Sequence, residues 1–306
     1  MTPGAASRAP TDDLLALLED FLLTLESEHK SPRTLRAYGD AVRFFAAWLE
    51  ASGRPTQSQT VSRQDVKGYV TDLLHRFKPA TAANRYRALV RFFGWAVDEG
   101  ELAVSPMAGL RPPTVPETPP PVLGEDELRR LLRACEGPAF EDRRDNALFR
   151  CFIDTGARLS EVAGLAVADV DWEHRVLHVL GKGRRPRAAP FGAQTGVSLR
   201  RYLRSRASRR QAGTLALWLG HEGPMTPSGI ADAVRRRGRV AGLPGLHPHL
   251  FRHTAAHHWQ LEGGNETDLM TLLGWRSRSM LTRYAASAAA ERARESHRRL
   301  GLGDRL

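Results

Sequence analysis

The sequence predicts a mainly α-helical protein with a small antiparallel β-sheet, arranged as two domains. Three observations predict it. Apolar residues recur at helical spacing through most of the chain. One short stretch, residues 167–190, alternates and turns instead. Between two helical regions, residues 111–122 hold six prolines in twelve positions. No helix tolerates that density, so the stretch reads as a semi-rigid extended linker.

The elements follow in order. Residues 1–10 are small and polar and read as a flexible start. From Asp12 to Glu28 the set Leu14, Leu15, Leu17, Leu18, Phe21, Leu22 and Leu25 repeats at helical spacing. Ser31-Pro32 opens a second helix, with proline at its first position. That helix carries Leu35, Tyr38, Val42, Phe45 and Trp48 and stops near Ser52-Gly53. A third runs from about Ser62 to Arg76, and a fourth spans 79–98 with Leu89, Val90, Phe92, Phe93 and Val97. Pro106–Leu110 closes this all-helical unit, giving a first domain over 11–110, the linker at 111–122, and a second domain over 123–306. The second domain opens with helices near 124–134 and 141–154. Val170, Trp172, Val176, His178 and Val179 read as short strands, with Gly181-Lys182-Gly183 as a hairpin turn. Further helices are expected near 193–206, 227–240, 249–262, 266–273 and 277–296. No long-period repeat is present.

Composition narrows the class. The 306 residues are 42% hydrophobic and 26% charged, enough apolar content for real cores and unlike a disordered chain. No stretch approaches the ~18–20 apolar residues of a membrane span. The start lacks the apolar core of a signal peptide. Cys135 and Cys151 are the only cysteines, so a disulfide framework and a cysteine zinc site are both excluded. A cytoplasmic, reduced protein with no membrane partner is the expectation. The net charge is +11, and all of it lies in residues 121–306, where 31 Lys/Arg face 20 Asp/Glu; residues 1–120 balance 14 against 14. A preference for Arg over Lys explains why only four lysines occur. It does not explain the asymmetry, which suits a phosphate-rich partner.

Three segments in the basic half carry chemistry: Thr155-Gly156-Ala157-Arg158-Leu159-Ser160-Glu161; His247-Pro248-His249-Leu250-Phe251-Arg252-His253-Thr254; and Leu272-Leu273-Gly274-Trp275, followed nine residues on by Tyr284. Arginine offers a planar fork that grips phosphate bidentately. Histidine moves a proton near neutral pH. Tyrosine can serve as an oxygen nucleophile and hold a covalent intermediate. No nucleotide-binding loop and no carboxylate cage accompanies them. The set points to phosphoryl transfer between DNA and protein, with no cofactor, metal or ATP.

The order Arg158, Lys182, His249-x-x-Arg252, Trp275, Tyr284 resembles the tyrosine recombinase (phage integrase) family. The likeness runs from about Leu14 to Arg299, and TGARLSEVAGL, HPHLFRHT and LLGWRSRSMLTRY are its specific parts. It implies a two-domain, C-shaped DNA clamp, with an N-terminal helical core-binding (SAM-like) domain and an α+β catalytic domain. It implies that Arg158, Arg252, Trp275 and His249 hold a scissile phosphate. Tyr284 would attack it, giving a 3′-phosphotyrosyl link, and Lys182, on the hairpin, would protonate the departing 5′ oxygen. Trp275 stands where the family more often has histidine; an indole N–H only donates, which leaves proton transfer to His249 and Lys182. The partners implied are a double-stranded recombination site and further copies of the chain, four on two duplexes with each C-terminal tail packed in trans, with or without an accessory or partner recombinase.

Each residue also has a plainer reading. Arg158 could simply pair with Glu161 at i+3. His249, His253 and His257 fall at i, i+4 and i+8, a spacing that can share a metal, but no neighbouring acid or cysteine completes a site. Tyr202, in LRRYLRSR, rivals Tyr284 as nucleophile but sits among Leu199 and Leu203 like a core residue. For DNA contacts the candidates are Arg85, Arg87 and Arg91, in a stretch free of acids between Asp72 and Asp98, with Arg235, Arg236, Arg276 and Arg278. The biological role expected is that of a mobile-element integrase, since Trp275 and the tail HRRLGLGDRL depart from the Xer pattern. A Xer-like dimer resolvase is the alternative. A type IB-like topoisomerase and a catalytically dead DNA-binding accessory protein are the alternatives of other classes.

Overall fold

The structure, a computed structural model, describes residues 13–116, 120–181, 185–301 and 303, with backbone alone at 279–280, 282–287, 290 and 295–296. The expected flexible start therefore lies outside the described residues, as do residues 182–184, which include Lys182 and Gly183 of the expected hairpin turn. The chain divides into two compact units, Met1–Glu117 and Thr118–Leu306. Among the described residues no helix is long and apolar enough to cross a membrane.

The first unit is four helices: α1 (Leu14–Ser27), α2 (Pro32–Ala51), α3 (Arg63–Arg76) and α4 (Pro79–Asp98). Local chemistry starts each one. The Asp13 carboxylate accepts from the Leu15 N–H at 2.8 Å. Ser31 accepts from Thr34 N–H at 3.2 Å, just ahead of Pro32. Ser62 and Asp65 form a reciprocal capping box. Each side-chain cap satisfies a backbone donor that the helix leaves unpaired, worth about 1 kcal/mol. Burial follows the 3.6-residue period. Leu14, Leu17, Leu18, Phe21 and Leu25 of α1 pack with Val42, Phe45 and Leu49 of α2 and Leu89, Phe92 and Phe93 of α4. Edge-to-face rings lock the contact, Phe21 to Phe92 at 5.4 Å and Phe45 to Phe93 at 6.0 Å.

The second unit holds α5 (Glu125–Arg133), α6 (Phe140–Thr155), α7 (Leu159–Ala163), a three-stranded sheet, and α8 (Ala193–Ala207), α9 (Pro227–Val240), α10 (Pro248–Leu261), α11 (Glu266–Leu273) and α12 (Ser279–Leu300). The strands β1 (Val170–Asp171), β2 (Val176–Leu180) and β3 (Pro186–Pro190) form an antiparallel sheet in the order β1-β2-β3. Leu177 faces Ala189 and Val179 faces Arg187; Leu177, Val179 and Ala189 are buried. Helix α6 is the spine of the core. Its Phe149 and Phe152 stack on Phe251 of α10 at 5.9 and 5.4 Å. Cys135 and Cys151 are free and buried. Burial pushes the Cys135 thiol up to about 12 and the Cys151 thiol higher still, so neither is a nucleophile near neutral pH.

Helix α12 reaches Leu300, four residues past its expected end. In the single chain it lies along its own α10. Leu281 and Ala288 are buried. His257 Nε2 donates to Glu291 at 3.0 Å, and Arg292 donates to the carbonyl of Gln260. Ala288 allows close approach, and the polar contacts hold this stretch against α10 within the single chain.

Candidate active site

Helix α6 stops at Gly156, which takes the left-handed conformation at φ +53°. A Cβ there would lie 2.7 Å from Leu273 Cδ2 and 3.1 Å from the Ala255 Cβ. Glycine therefore ends the helix and also lets α10 and α11 close onto the turn. Two residues on, Arg158 sits at the N-terminus of α7. Its backbone N–H donates to Glu161 Oε2 at 2.8 Å and its Nη1 to Oε1 at 2.7 Å. The Glu161 side chain is 1% exposed and that of Arg158 32%. Arg158 thus faces outward over a buried carboxylate.

The second arginine segment meets the first from the other side. Arg252, 1% exposed, donates through Nη1 to the carbonyl of Gly156 at 3.0 Å and through Nη2 to that of Leu273 at 2.5 Å. Its guanidinium lies 5.4 Å from the Trp275 ring centroid. A third arginine completes the junction. Arg187 of β3 donates through Nη2 to Glu161 Oε2 at 2.8 Å and through Nη1 to the Leu272 carbonyl. Helix α11 ends there, at Gly274 in the left-handed region. The last carbonyls of a helix lack intrahelical partners and carry its negative pole. Two guanidinium groups satisfy two of them, and Trp275 follows directly, buried with Ala256, Leu269, Leu273 and Leu281.

The electrostatics favour an ionised Glu161. Burial alone would raise its pKa, but the Arg158 N–H, the charge and hydrogen bond of Arg187 and the Arg158 side chain together hold it below the usual carboxylate range. The result is a net positive charge at this junction, because two guanidinium groups flank one carboxylate and Arg252 lies close by. His249 stands exposed in the first turn of α10, its ring 4.4 Å from that of His253. His257 turns to Glu291, and His258 Nε2 donates to the Leu123 carbonyl at 3.1 Å. The i, i+4, i+8 ladder thus splits among different partners. Among the described residues no group of three or more His, Cys, Asp and Glu side chains could hold a metal ion.

The structure places the remaining candidates as follows. Tyr202 is fully buried; its hydroxyl donates to the Leu217 carbonyl and accepts from the Leu219 N–H, both at 2.9 Å, and burial raises its pKa. It is a core residue. Tyr284 belongs to α12 by its backbone, while its side chain, like Lys182, lies outside the described residues. Arg85 rests between the rings of Phe44 and Phe77 at 4.2 and 4.5 Å. Arg87 bonds Asn84, and Arg91 pairs with Glu28 of α1 at 2.9 Å. Arg235 pairs with Asp232, while Arg236 reaches buried Asp145 at 3.2 Å. Arg276 and Arg278 are exposed. Sequence reasoning missed Arg187. Its one signal was an arginine at an inward-facing position of β3, opposite buried Val179.

The model of the phage integrase family matches residues 121–291, and that of the phage integrase N-terminal SAM-like domain matches 18–100. The chain belongs to the phage integrase family of tyrosine recombinases. As a tyrosine recombinase it is a site-specific DNA recombinase. It is 33% identical over 303 residues to the tyrosine recombinase XerC of Mycobacterium bovis, covering 93% of this chain and 98% of that one. In fold it is similar to the XerH site-specific recombinase bound to a palindromic difH substrate in a post-cleavage complex, at TM-score 0.74 and 18% identity over 92% of this chain and 84% of that one. It is also similar to the Tn1549 transposon integrase in complex with circular intermediate DNA, at TM-score 0.73 and 19% identity over 94% and 99% of the two chains.

Proposed function

We propose that this tyrosine recombinase cuts and rejoins a specific duplex site through a 3′-phosphotyrosine formed on Tyr284. The observation that carries the reading is the convergence of Arg158, Arg252 and Trp275 with His249 at the edge. Arg158 and Arg252 grip the scissile phosphate, the Trp275 N–H and His249 contact its oxygens, and together they offset charge that grows in the transition state. Backbone carbonyls fix the plane of Arg252, which is how a site is held to catalytic tolerance. The Tyr284 oxygen attacks phosphorus in line. The P–O5′ bond breaks, and Lys182 gives the leaving oxygen its proton. A 5′-hydroxyl from the partner strand then attacks the phosphotyrosine, with His249 taking its proton; the P–O bond to Tyr284 breaks, and the released phenolate takes up a proton. One phosphoester replaces another at each step, so no ATP is consumed.

Both domains contact the one duplex site, and four protomers assemble on two duplexes. We assign the chain to a mobile element, on Trp275 and the sequence of its tail. The near full-length match to XerC relatives favours a second reading, resolution of chromosome or plasmid dimers. Incubating the purified chain with two differently labelled duplexes carrying its selected site tests the shared claim. Recombinant products with exchanged flanks are expected. Relaxation of supercoils without exchange would make it topoisomerase-like instead.

A further inference from the structure

Arg187 lies outside the set just assigned to the phosphate, yet it holds two parts of that set's frame, Glu161 and the end of α11. Its Nη2 holds Glu161 Oε2 at 2.8 Å, and Glu161 Oε1 holds Arg158 at 2.7 Å. Its Nη1 holds the Leu272 carbonyl, three residues before Trp275. Its Nε is buried with no hydrogen-bond partner among the described residues. A Cβ on Gly181, next to Lys182 in sequence, would lie 3.5 Å from Glu161 Oε1, so the same carboxylate also lies under the base of the hairpin. Glu161 is 1% exposed and stays ionised.

A buried carboxylate 2.7 Å from a phosphate-gripping arginine poses a problem. It orients Arg158 but also cancels its charge and repels the incoming phosphate. Arg187 removes that cost. With both arginines present the triad keeps one net positive charge; without Arg187 it keeps none. We infer that Arg187 is a positioning residue for the recombination site: it neutralises Glu161, so that Arg158 meets the phosphate with its charge intact, and it anchors the end of α11 that carries Trp275. This rests on the phosphotyrosine reading given above.

Because the effect is one of charge, a second loss should repair the first. Arg187→Met cancels the triad, whereas Arg187→Met with Glu161→Gln restores one positive charge. The test uses the chain's own duplex site, selected from a random-sequence library, with either a phosphodiester or an uncharged methylphosphonate at the mapped scissile position. Single-turnover covalent capture is measured. Arg187→Met should slow capture of the phosphodiester by about 100-fold, the scale of one lost transition-state contact, and of the methylphosphonate by less than about tenfold. The double variant should regain at least about tenfold on the phosphodiester. Arg187→Lys keeps the charge and should stay within about tenfold of wild type, which preserves the test if Arg187→Met folds poorly. A double variant as slow as Arg187→Met, equal slowing of Arg187→Met on both substrates, or an Arg187→Lys variant as slow as Arg187→Met on the phosphodiester overturns the inference. Inorganic vanadate, a phosphate-sized anion, is titrated into the same proteins by vanadium NMR. The order wild type, double variant, Arg187→Met should recur there. If wild type captures no DNA, the phosphotyrosine reading fails, and the vanadate order alone decides the role of Arg187; no vanadate binding, or no difference among the three, rejects it.

Discussion

Glu161 keeps its charge at 1% exposure because two arginine side chains and a backbone N–H converge on it. Leaving a buried charge without its partner costs about 3–5 kcal/mol, so the pair ties α7 to β3 only while both members are ionised. The pH dependence follows. The carboxyl is held below its unfolded value of about 4.3, so its contribution is complete above that value and disappears as pH falls through the lower folded pKa. Urea unfolding should find wild type more stable than Glu161→Gln at neutral pH, with the gap closing on acidification. A gap that stays constant down to acid pH would mean that the carboxylate charge contributes nothing. Lys182 makes a chemical prediction of its own, since it is the only lysine after Lys78 in an Arg-rich chain. Lysine can release a proton where arginine cannot. Lys182→Ala should therefore cut normal DNA far more slowly, yet cut DNA with a 5′-thiolate leaving group at nearly the wild-type rate. Equal slowing on both substrates contradicts the general-acid role.

At the scale of elements, α10 is the part that everything else meets. Its first turn carries His249, its second Arg252, and its last turns receive α12 through His257 and Gln260. Because Glu291 and Arg292 hold α12 in cis, the tail that could exchange between protomers begins beyond them. Deleting residues 293–306 should leave folding and single-site binding intact but abolish synapsis of two duplexes, scored by gel shift and recombination. Full recombination by the truncated chain would exclude trans docking of the tail. Deletion from 290 onward should also lower the melting temperature, because it removes both cis contacts. Most of these elements were legible in sequence, for local reasons. Pro32, Pro79, Pro227 and Pro248 stand in the first turn of their helices, and Gly156 and Gly274 at the ends of theirs. Long-range ion pairs were not legible. The acid-free window around Arg91 conceals its partner, Glu28, because that residue comes from α1. Arg237, one of four clustered arginines, is committed to Asp142 and Asp145 of α6. The burial of Arg252 depends on three segments closing around it, which no spacing along one of them reveals.

At the scale of the whole molecule, the excess charge of +11 sits in the half that carries both arginine segments and the tyrosine. That distribution concentrates phosphate where the chemistry is proposed, and it makes DNA affinity fall with salt. The proposed chemistry centres on one covalent bond. The direct measurement is to trap the chain on a nicked suicide duplex of its selected site, in EDTA and without nucleotide, digest the adduct and locate the modified residue by mass spectrometry. A nucleotide 3′-phosphate is expected on the peptide containing Tyr284, with no adduct from Tyr284→Phe although that variant still binds DNA. An adduct on any other residue, or capture that persists in Tyr284→Phe, contradicts it.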